Sequence, residues 1–163
     1  LPDKTDIQLP VELSSNEITM YEMHRKMVEE LVRTDKSLNV STLAEITKLR
    51  QMACSCSLVD KSWKVPSSKL LAFIDLAESL NDSGNRALVF SQFTSFLEEV
   101  RYAMDNAQLP YLYLDGSTPM AKREQLVKDF QSGRGPFFLI SLKAGGLGLN
   151  LTGANYVVHL DPS

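Results

Sequence analysis

The sequence has few cysteines, little excess charge and no long apolar run. Its only two cysteines, Cys54 and Cys56, stand one residue apart, a spacing that strains a mutual disulfide and gives zinc too few ligands. We therefore expect both to be reduced thiols near the end of a helix. No apolar stretch approaches the roughly 18 residues of a membrane-spanning helix, so no membrane segment is predicted.

The charge balance argues against a broad basic surface for nucleic acid, because 17 Lys and Arg stand against 20 Asp and Glu. A narrow track of DNA contacts remains compatible with this balance, since local charge placement matters more than the sum. The first ten residues, LPDKTDIQLP, contain no apolar core of a signal peptide, so an intracellular location is expected. With 163 residues, the chain is long enough to bury a core without disulfides or metals.

Helical patterns dominate the first part of the chain, which we predict to be α-helical with irregular ends. Ser14 and Glu17 form a capping box, and apolar residues at helical spacing follow it. Thr42 and Glu45 predict the start of a second helix in the same way. The methionine-rich stripe of the first helix is interpreted as core rather than as a ligand surface.

Beyond residue 66 the pattern changes to strands that alternate with helices. Short continuous apolar runs are typical of strands buried on both faces of a sheet. Alternation with helices predicts right-handed crossovers and a parallel sheet with helices on both faces. The fold class is therefore α/β, with one segment at 1–66 and a second at 67–163. The predicted strands are 87–90, 111–114, 137–142 and 156–160.

Three helices are predicted, one before the first of these strands and two between strands, each from a start signal. Ser67 or Ser68 begins the first helix, which ends near residue 80. Ser95 and Glu98 form a capping box for the second, at 95–105. Thr118 followed by a proline begins the third, at 118–131.

Small polar residues follow the predicted strands, where ligands of open parallel sheets bind. Such residues leave backbone N–H groups open to anions such as phosphate. Ordinary tight turns are the alternative interpretation, but three glycines within 145–148 indicate close approach to a helix or a ligand. The residues concerned are Ser91 and Gln92, Gly116 and Ser117, Lys143 with the glycines, and Asp161.

Six stretches of the sequence resemble, in the same order, the second lobe of Swi/Snf-type ATPases, which are helicase-like proteins of superfamily two. The resemblance covers nearly the whole chain, and six motifs in order are highly specific. Three stretches lie at the strand ends: VFSQFTSFL at 89–97, YLYLDGST at 111–118 followed by Arg123, and ISLKAGGLGLNLTGANYVVHLDPS at 140–163. Three lie upstream: LPDKT with LSSNEITMYE at 13–22, LRQMACSCSLVD at 49–60, and SSKLLAFIDLAESL at 67–80.

This resemblance implies a RecA-like lobe at 67–163 that carries an N-terminal helical protrusion formed by residues 12–60. In the family, ATP with Mg²⁺ binds between two such lobes, and duplex DNA lies across both. The implied partners are the DNA backbone, the first lobe of the same protein, and DNA-bound proteins that the motor displaces or remodels. The implied location is the nucleoid or the nucleus.

The resemblance also assigns site residues. Gly148 and Asn150 would face the nucleotide. Arg123 would join the DNA contacts or pair with a residue on its own helix face. Leu142 stands where the family often has threonine. Hydroxyls, amides and lysine suit phosphate contacts, which position DNA without reading its sequence. Those that would border the DNA backbone are Ser91, Gln92, Gly116, Ser117, Ser141 and Lys143.

The chain by itself is expected to hydrolyse no ATP, and no catalytic or metal-binding residue is assigned to it. It has no G-x-x-x-x-G-K-[ST] phosphate loop and does not reach the family's final arginine motif. Two alternatives remain open at this point: a small mononucleotide-binding α/β enzyme with Asp161 as a magnesium ligand, and a non-catalytic interaction module. DNA binding without ATPase activity favours the motor lobe over both.

Overall fold

The computed structural model describes residues 4–34, 38–141 and 151–162. Within them, one parallel sheet has the strand order β1-β5-β2-β4-β3. The predicted α/β fold with a parallel sheet is confirmed. The strands are β1 Thr5–Gln8, β2 Ala87–Ser91, β3 Tyr111–Leu114, β4 Phe137–Ser141 and β5 Tyr156–His159.

Five α-helices accompany this sheet in the described part of the chain. The first two pack against each other and form the predicted N-terminal helical segment. A short 3-10 helix, Cys56–Leu58, follows them. The α-helices are α1 Ser15–Thr34, α2 Val40–Cys54, α3 Ser68–Asp82, α4 Thr94–Asn106 and α5 Met120–Gln131.

The core lies on both faces of the sheet. One cluster joins Val89 of β2 and Val158 of β5 to side chains of α3 and α4. The other joins Leu88 and Phe138 to side chains of α5. Neighbouring residues of one strand point to opposite faces. Both faces are covered, which is why β2 and β4 appear in the sequence as continuous apolar runs.

Strand β1 was not predicted, because the sequence pattern indicates helix with irregular ends here. Only Ile7 among its four residues is partly buried, so it has no apolar pattern. Backbone bonds hold it instead, including Thr5 N–H to the Asn155 carbonyl at 3.0 Å, and Asp6 pairs with His159 at 2.9 Å. The start of the chain thus joins the sheet of the second half. The division at residue 66 stays a prediction.

Two predicted helix starts are confirmed. The Ser14 N–H donates to Glu17 Oε1 at 2.9 Å, and the Glu17 N–H donates to Ser14 Oγ at 3.4 Å. Ser67 caps α3 by accepting the Leu70 N–H at 3.1 Å. These bonds satisfy N–H groups that have no partner within the helix.

Three predicted helix starts differ from the structure. Helix α2 is capped by Asn39, whose side chain accepts the Thr42 N–H at 2.9 Å, so Thr42 lies inside the helix. Helix α4 begins at Thr94, which places Ser95 within its first turn and leaves no capping box. Helix α5 begins after Pro119, because the Thr118 hydroxyl accepts an N–H of the preceding turn.

Candidate functional site

The carboxyl ends of the strands bring the predicted loops to one edge of the sheet. Ser91 lies opposite Ser141, and Leu114 lies opposite Ile140, so β2, β4 and β3 end at nearly the same level. Because all the strands are parallel, the residues that follow them share this edge. It carries Gln92, the turn 115–118 and, beyond β5, Asp161.

Asp161 organises the loop that follows β2. Its carboxylate accepts the Ser91 hydroxyl at 2.6 Å and the Gln92 N–H at 2.7 Å. The Ser91 hydroxyl in turn accepts the Phe93 N–H at 3.0 Å. Ser91 is fully buried, whereas Gln92 is half-buried. The Ser91 hydroxyl, which the family resemblance predicts at the border of the DNA backbone, is therefore bonded inside the protein.

Ser141 is buried as well, at the end of the neighbouring strand β4. It is 0% exposed, and its hydroxyl has no hydrogen-bond partner within the described residues. The Ser141 side chain is therefore not at the surface, where the family resemblance predicts a contact with the DNA backbone. The other residues predicted on this strand tip lie outside the described residues: Leu142, Lys143, Gly148 and Asn150.

The turn after β3 is built around Asp115. One carboxylate oxygen accepts the Ser117 N–H at 2.8 Å and the Ser117 hydroxyl at 2.7 Å, and the other accepts the Tyr113 hydroxyl at 2.7 Å. These bonds, above all the one from the Ser117 hydroxyl, lower the pKa of Asp115. Burial, together with the bond to Asp115, raises the pKa of Tyr113 to about 12. Gly116 and Ser117 are exposed at the tip of this turn.

Arg123 of α5 holds the same turn through its backbone carbonyls. Its Nε donates to the Thr118 carbonyl at 2.8 Å, and its Nη2 donates to those of Gly116 at 3.2 Å and Asp115 at 3.4 Å. The sequence offered a DNA contact or a partner on the helix face for this residue. In the structure its guanidinium supports the turn that presents Ser117.

Two side chains near Asp161 were missed as parts of this edge. Lys69 is 7% exposed, and its Nζ donates to the Leu160 carbonyl at 2.5 Å. The Cys54 sulfur lies 3.8 Å from Asp161 Oδ1. Burial raises the pKa of Cys54 to about 12, so it is a neutral thiol donor. Lys69 lies in the first turn of α3, where the helix dipole disfavours a positive charge. A lysine at such a position indicates a specific partner, and this pattern is visible in the sequence.

Comparison with known proteins gives the class first. Residues 68–163 match the family described as Helicase conserved C-terminal domain. The match covers more than half of the chain, and the chain belongs to this family. Over 108 residues it is 40% identical to the ATP-dependent helicase fft1 of Schizosaccharomyces pombe. The aligned residues make up 66% of this chain and 11% of that protein. The chain thus spans about a tenth of the length of this relative.

Solved structures narrow the class to the Swi/Snf type. The Sulfolobus solfataricus SWI2/SNF2 ATPase core domain superposes with a TM-score of 0.80 at 27% identity, over 99% of this chain and 35% of that chain. The same core in complex with dsDNA superposes with a TM-score of 0.80 at 23% identity, over 98% of this chain and 35% of that chain. At this identity the similarity shows the fold alone. The chain is a Swi/Snf-type C-terminal helicase lobe with a RecA-like fold, as its motifs predict.

None of the helices that the structure describes is both long enough and apolar enough to cross a membrane.

Proposed function

We propose that the chain is the second motor lobe of an ATP-dependent double-stranded DNA translocase or remodeller. It contributes half of the ATP cleft and contacts the DNA backbone. The observation that carries this proposal is the shared edge, where Gln92 and the exposed turn with Gly116 and Ser117 follow strands of one parallel sheet. That the archaeal core of this fold was solved with dsDNA supports the assignment.

The proposed DNA contacts are made by donors on the exposed part of this edge. The Gln92 amide can donate to a phosphate oxygen, as can an N–H of the turn near Gly116. The Ser117 hydroxyl donates to Asp115, so contact with DNA requires it to exchange that acceptor for a phosphate. Ser91 supports the end of β2 from inside through its bonds to Asp161 and Phe93, Ser141 is buried, and Lys143 remains the proposed cationic contact.

ATP with Mg²⁺ is proposed to bind between this lobe and a first lobe, with Gly148 and Asn150 facing the nucleotide. The chain alone is expected to hydrolyse no ATP, and DNA-bound proteins are the proposed targets of the complete motor. The match of residues 68–163 to the Helicase conserved C-terminal domain favours this proposal over the alternative small enzyme with Asp161 as a magnesium ligand.

Duplex binding by the chain tests the proposal. Fluorescence anisotropy with a labelled duplex of about 20 base pairs, over a series of salt concentrations, should show weak binding that falls as salt rises. Lys143→Ala should reduce the slope of log K against log salt by about 1. Gln92→Ala should weaken binding roughly fivefold at an unchanged slope, since it removes one hydrogen bond from an uncharged donor.

Matched controls separate these effects from general ones. Lys128→Ala removes an exposed lysine from the last turn of α5, and Asn106→Ala removes an exposed amide from the last turn of α4, so both changes lie at the helix ends away from this edge. Neither should change the affinity. Absence of duplex binding at low salt by the unaltered chain contradicts the proposal. So does a two-lobe protein that contains this chain and shows no DNA stimulation of its ATPase activity.

A further inference from the structure

The peptide that carries Asp161 is fixed by neighbours on two sides. The Leu160 N–H donates to the Phe90 carbonyl at 3.0 Å, which extends the pairing of β5 with β2. The Leu160 carbonyl accepts the buried ammonium of Lys69 at 2.5 Å. Because charge-assisted bonds are among the stronger hydrogen bonds, Asp161 starts from a well-defined position.

From that position the Asp161 carboxylate accepts two hydrogen bonds from the loop that follows β2. One oxygen accepts the Ser91 hydroxyl, and the other accepts the Gln92 backbone N–H. The Ser91 hydroxyl, held by Asp161, also accepts the N–H of Phe93, the N-cap residue of α4, and so fixes that residue as well. Asp161, in the segment that follows β5, therefore fixes three consecutive residues of the loop, two directly and Phe93 through Ser91.

We infer that Asp161 is a positioning residue that holds the loop 91–93 so that the Gln92 side chain faces the DNA backbone. The inference rests on the proposed function and deepens it. Asp161 itself need not touch DNA, since both of its oxygens are engaged within the protein. The Cys54 thiol, at the end of α2, lies against the same carboxylate, so the N-terminal helices and the loop share this residue.

The sign of a charge effect separates positioning from general electrostatics. Asp161 places a negative charge at an edge that is proposed to approach phosphates. Removing that charge would by Coulomb repulsion alone tighten DNA binding, most clearly at low salt. If Asp161 positions the loop, its removal weakens binding despite the gain in charge balance.

The experiment compares Asp161→Ala and Asp161→Asn with the unaltered chain. The readouts are duplex affinity in about 50 mM salt and hydrogen exchange of the Gln92 and Phe93 amides by NMR. Asp161→Ala should weaken binding about tenfold and speed exchange of both amides, because two charge-assisted bonds are lost. Asp161→Asn still offers an oxygen to the Gln92 N–H and should recover affinity to within about threefold.

Two further variants complete the comparison. Asp75→Ala removes an exposed carboxylate from α3 and controls for net charge, so its affinity should equal or slightly exceed that of the unaltered chain. Ser91→Ala removes one of the two bonds and should weaken binding about threefold. It serves as the deciding variant if Asp161→Ala fails to fold.

The outcomes separate the inference from the function on which it rests. Positioning alone is overturned if the unaltered chain binds DNA and Asp161→Ala, or Ser91→Ala in its place, binds as tightly or more tightly. It is also overturned if exchange of the Gln92 amide speeds up with no change in affinity. If the unaltered chain binds no duplex, the proposed function fails and the inference falls with it.

Discussion

Truncation of Arg86 should be among the most destabilising changes at the amino ends of the strands. Its guanidinium donates to the carbonyls of Gly135 at 2.7 Å, Gly153 at 3.0 Å and Phe130 at 2.7 Å. It also lies 3.9 Å over the centre of the Phe130 ring. One side chain thus ties the end of α5 to the segments that lead into β4 and β5.

The magnitude follows from these contacts. Each hydrogen bond contributes about 0.5–1.5 kcal/mol net, and the cation–π contact adds about 0.5–1 kcal/mol. Arg86 is only partly buried, so water can reach some of the released carbonyls and the lower half of the range applies. We expect Arg86→Ala to lower the free energy of unfolding by about 3 kcal/mol. For a chain of this size, that corresponds to a fall in Tm of roughly 6–12 °C.

Urea unfolding followed by circular dichroism measures this loss. Arg86→Lys keeps the charge but not the planar fork of donors, and should lose about half as much. Arg134→Ala is the matched control, because Arg134 is 73% exposed and its ion pair with Asp129 contributes little. A loss below about 1 kcal/mol in Arg86→Ala, or an equal loss in Arg134→Ala, would refute the reasoning.

Three further predictions concern a carboxylate, the thiols and the turn after β3. Burial alone would raise the pKa of Glu17, but hydrogen bonds from Ser68 and Ser14 lower it below its ordinary value. The stabilisation from Glu17 is therefore present at neutral pH and is lost as the pH falls through the lowered pKa. Urea unfolding of Glu17→Gln at about pH 7 and about pH 3 should show a smaller acid loss than the unaltered chain, and an equal loss contradicts this. The pKa values of Cys54, about 12, and Cys56, about 11, predict no reaction with Ellman's reagent until the protein unfolds; reaction of the folded chain refutes it. Arg123→Ala should speed NMR-detected exchange of the turn amides about tenfold, and no difference from Lys122→Ala counts against the supporting role.

The strands of the core were predictable because burial on both faces leaves a local signature. The prediction at 111–114 agrees with β3, and those for β2, β4 and β5 agree within one residue at each end. Strand β1 has no such signature, because its partner β5 is distant in sequence and backbone bonds hold it. A pattern search within a short window has no access to that pairing.

Helix caps also depend on contacts that a local sequence pattern does not reveal. The motif S-x-x-E occurs at Ser14 and at Ser95, yet only Ser14 forms the capping box. At α4 the entry is already held by the Ser91 hydroxyl, which accepts the Phe93 N–H. Ser91 is itself held by Asp161, so the entry to α4 depends on a contact between residues that are distant in sequence.

For the site, the order of strands and loops predicted which residues share an edge, but not which side chains face outward. Gln92, Gly116 and Ser117 reach the surface, whereas Ser91 and Ser141 are buried. A serine after an apolar strand looks the same in both cases. For Ser91 the inward orientation depends on Asp161, which lies far along the sequence and supplies an acceptor inside the protein.

The pairing of β1 with β5 has a consequence for synthesis on the ribosome. Thr5 lies opposite Tyr156, so β1 leaves the ribosome before β5 and remains unpaired until the residues between the two strands have been made. A waiting edge segment is a hazard when it is apolar, because it can pair with other chains. Most residues of β1 are polar and exposed, so the unpaired segment can stay hydrated without associating with other chains. The weak packing of β1 is therefore an advantage during synthesis.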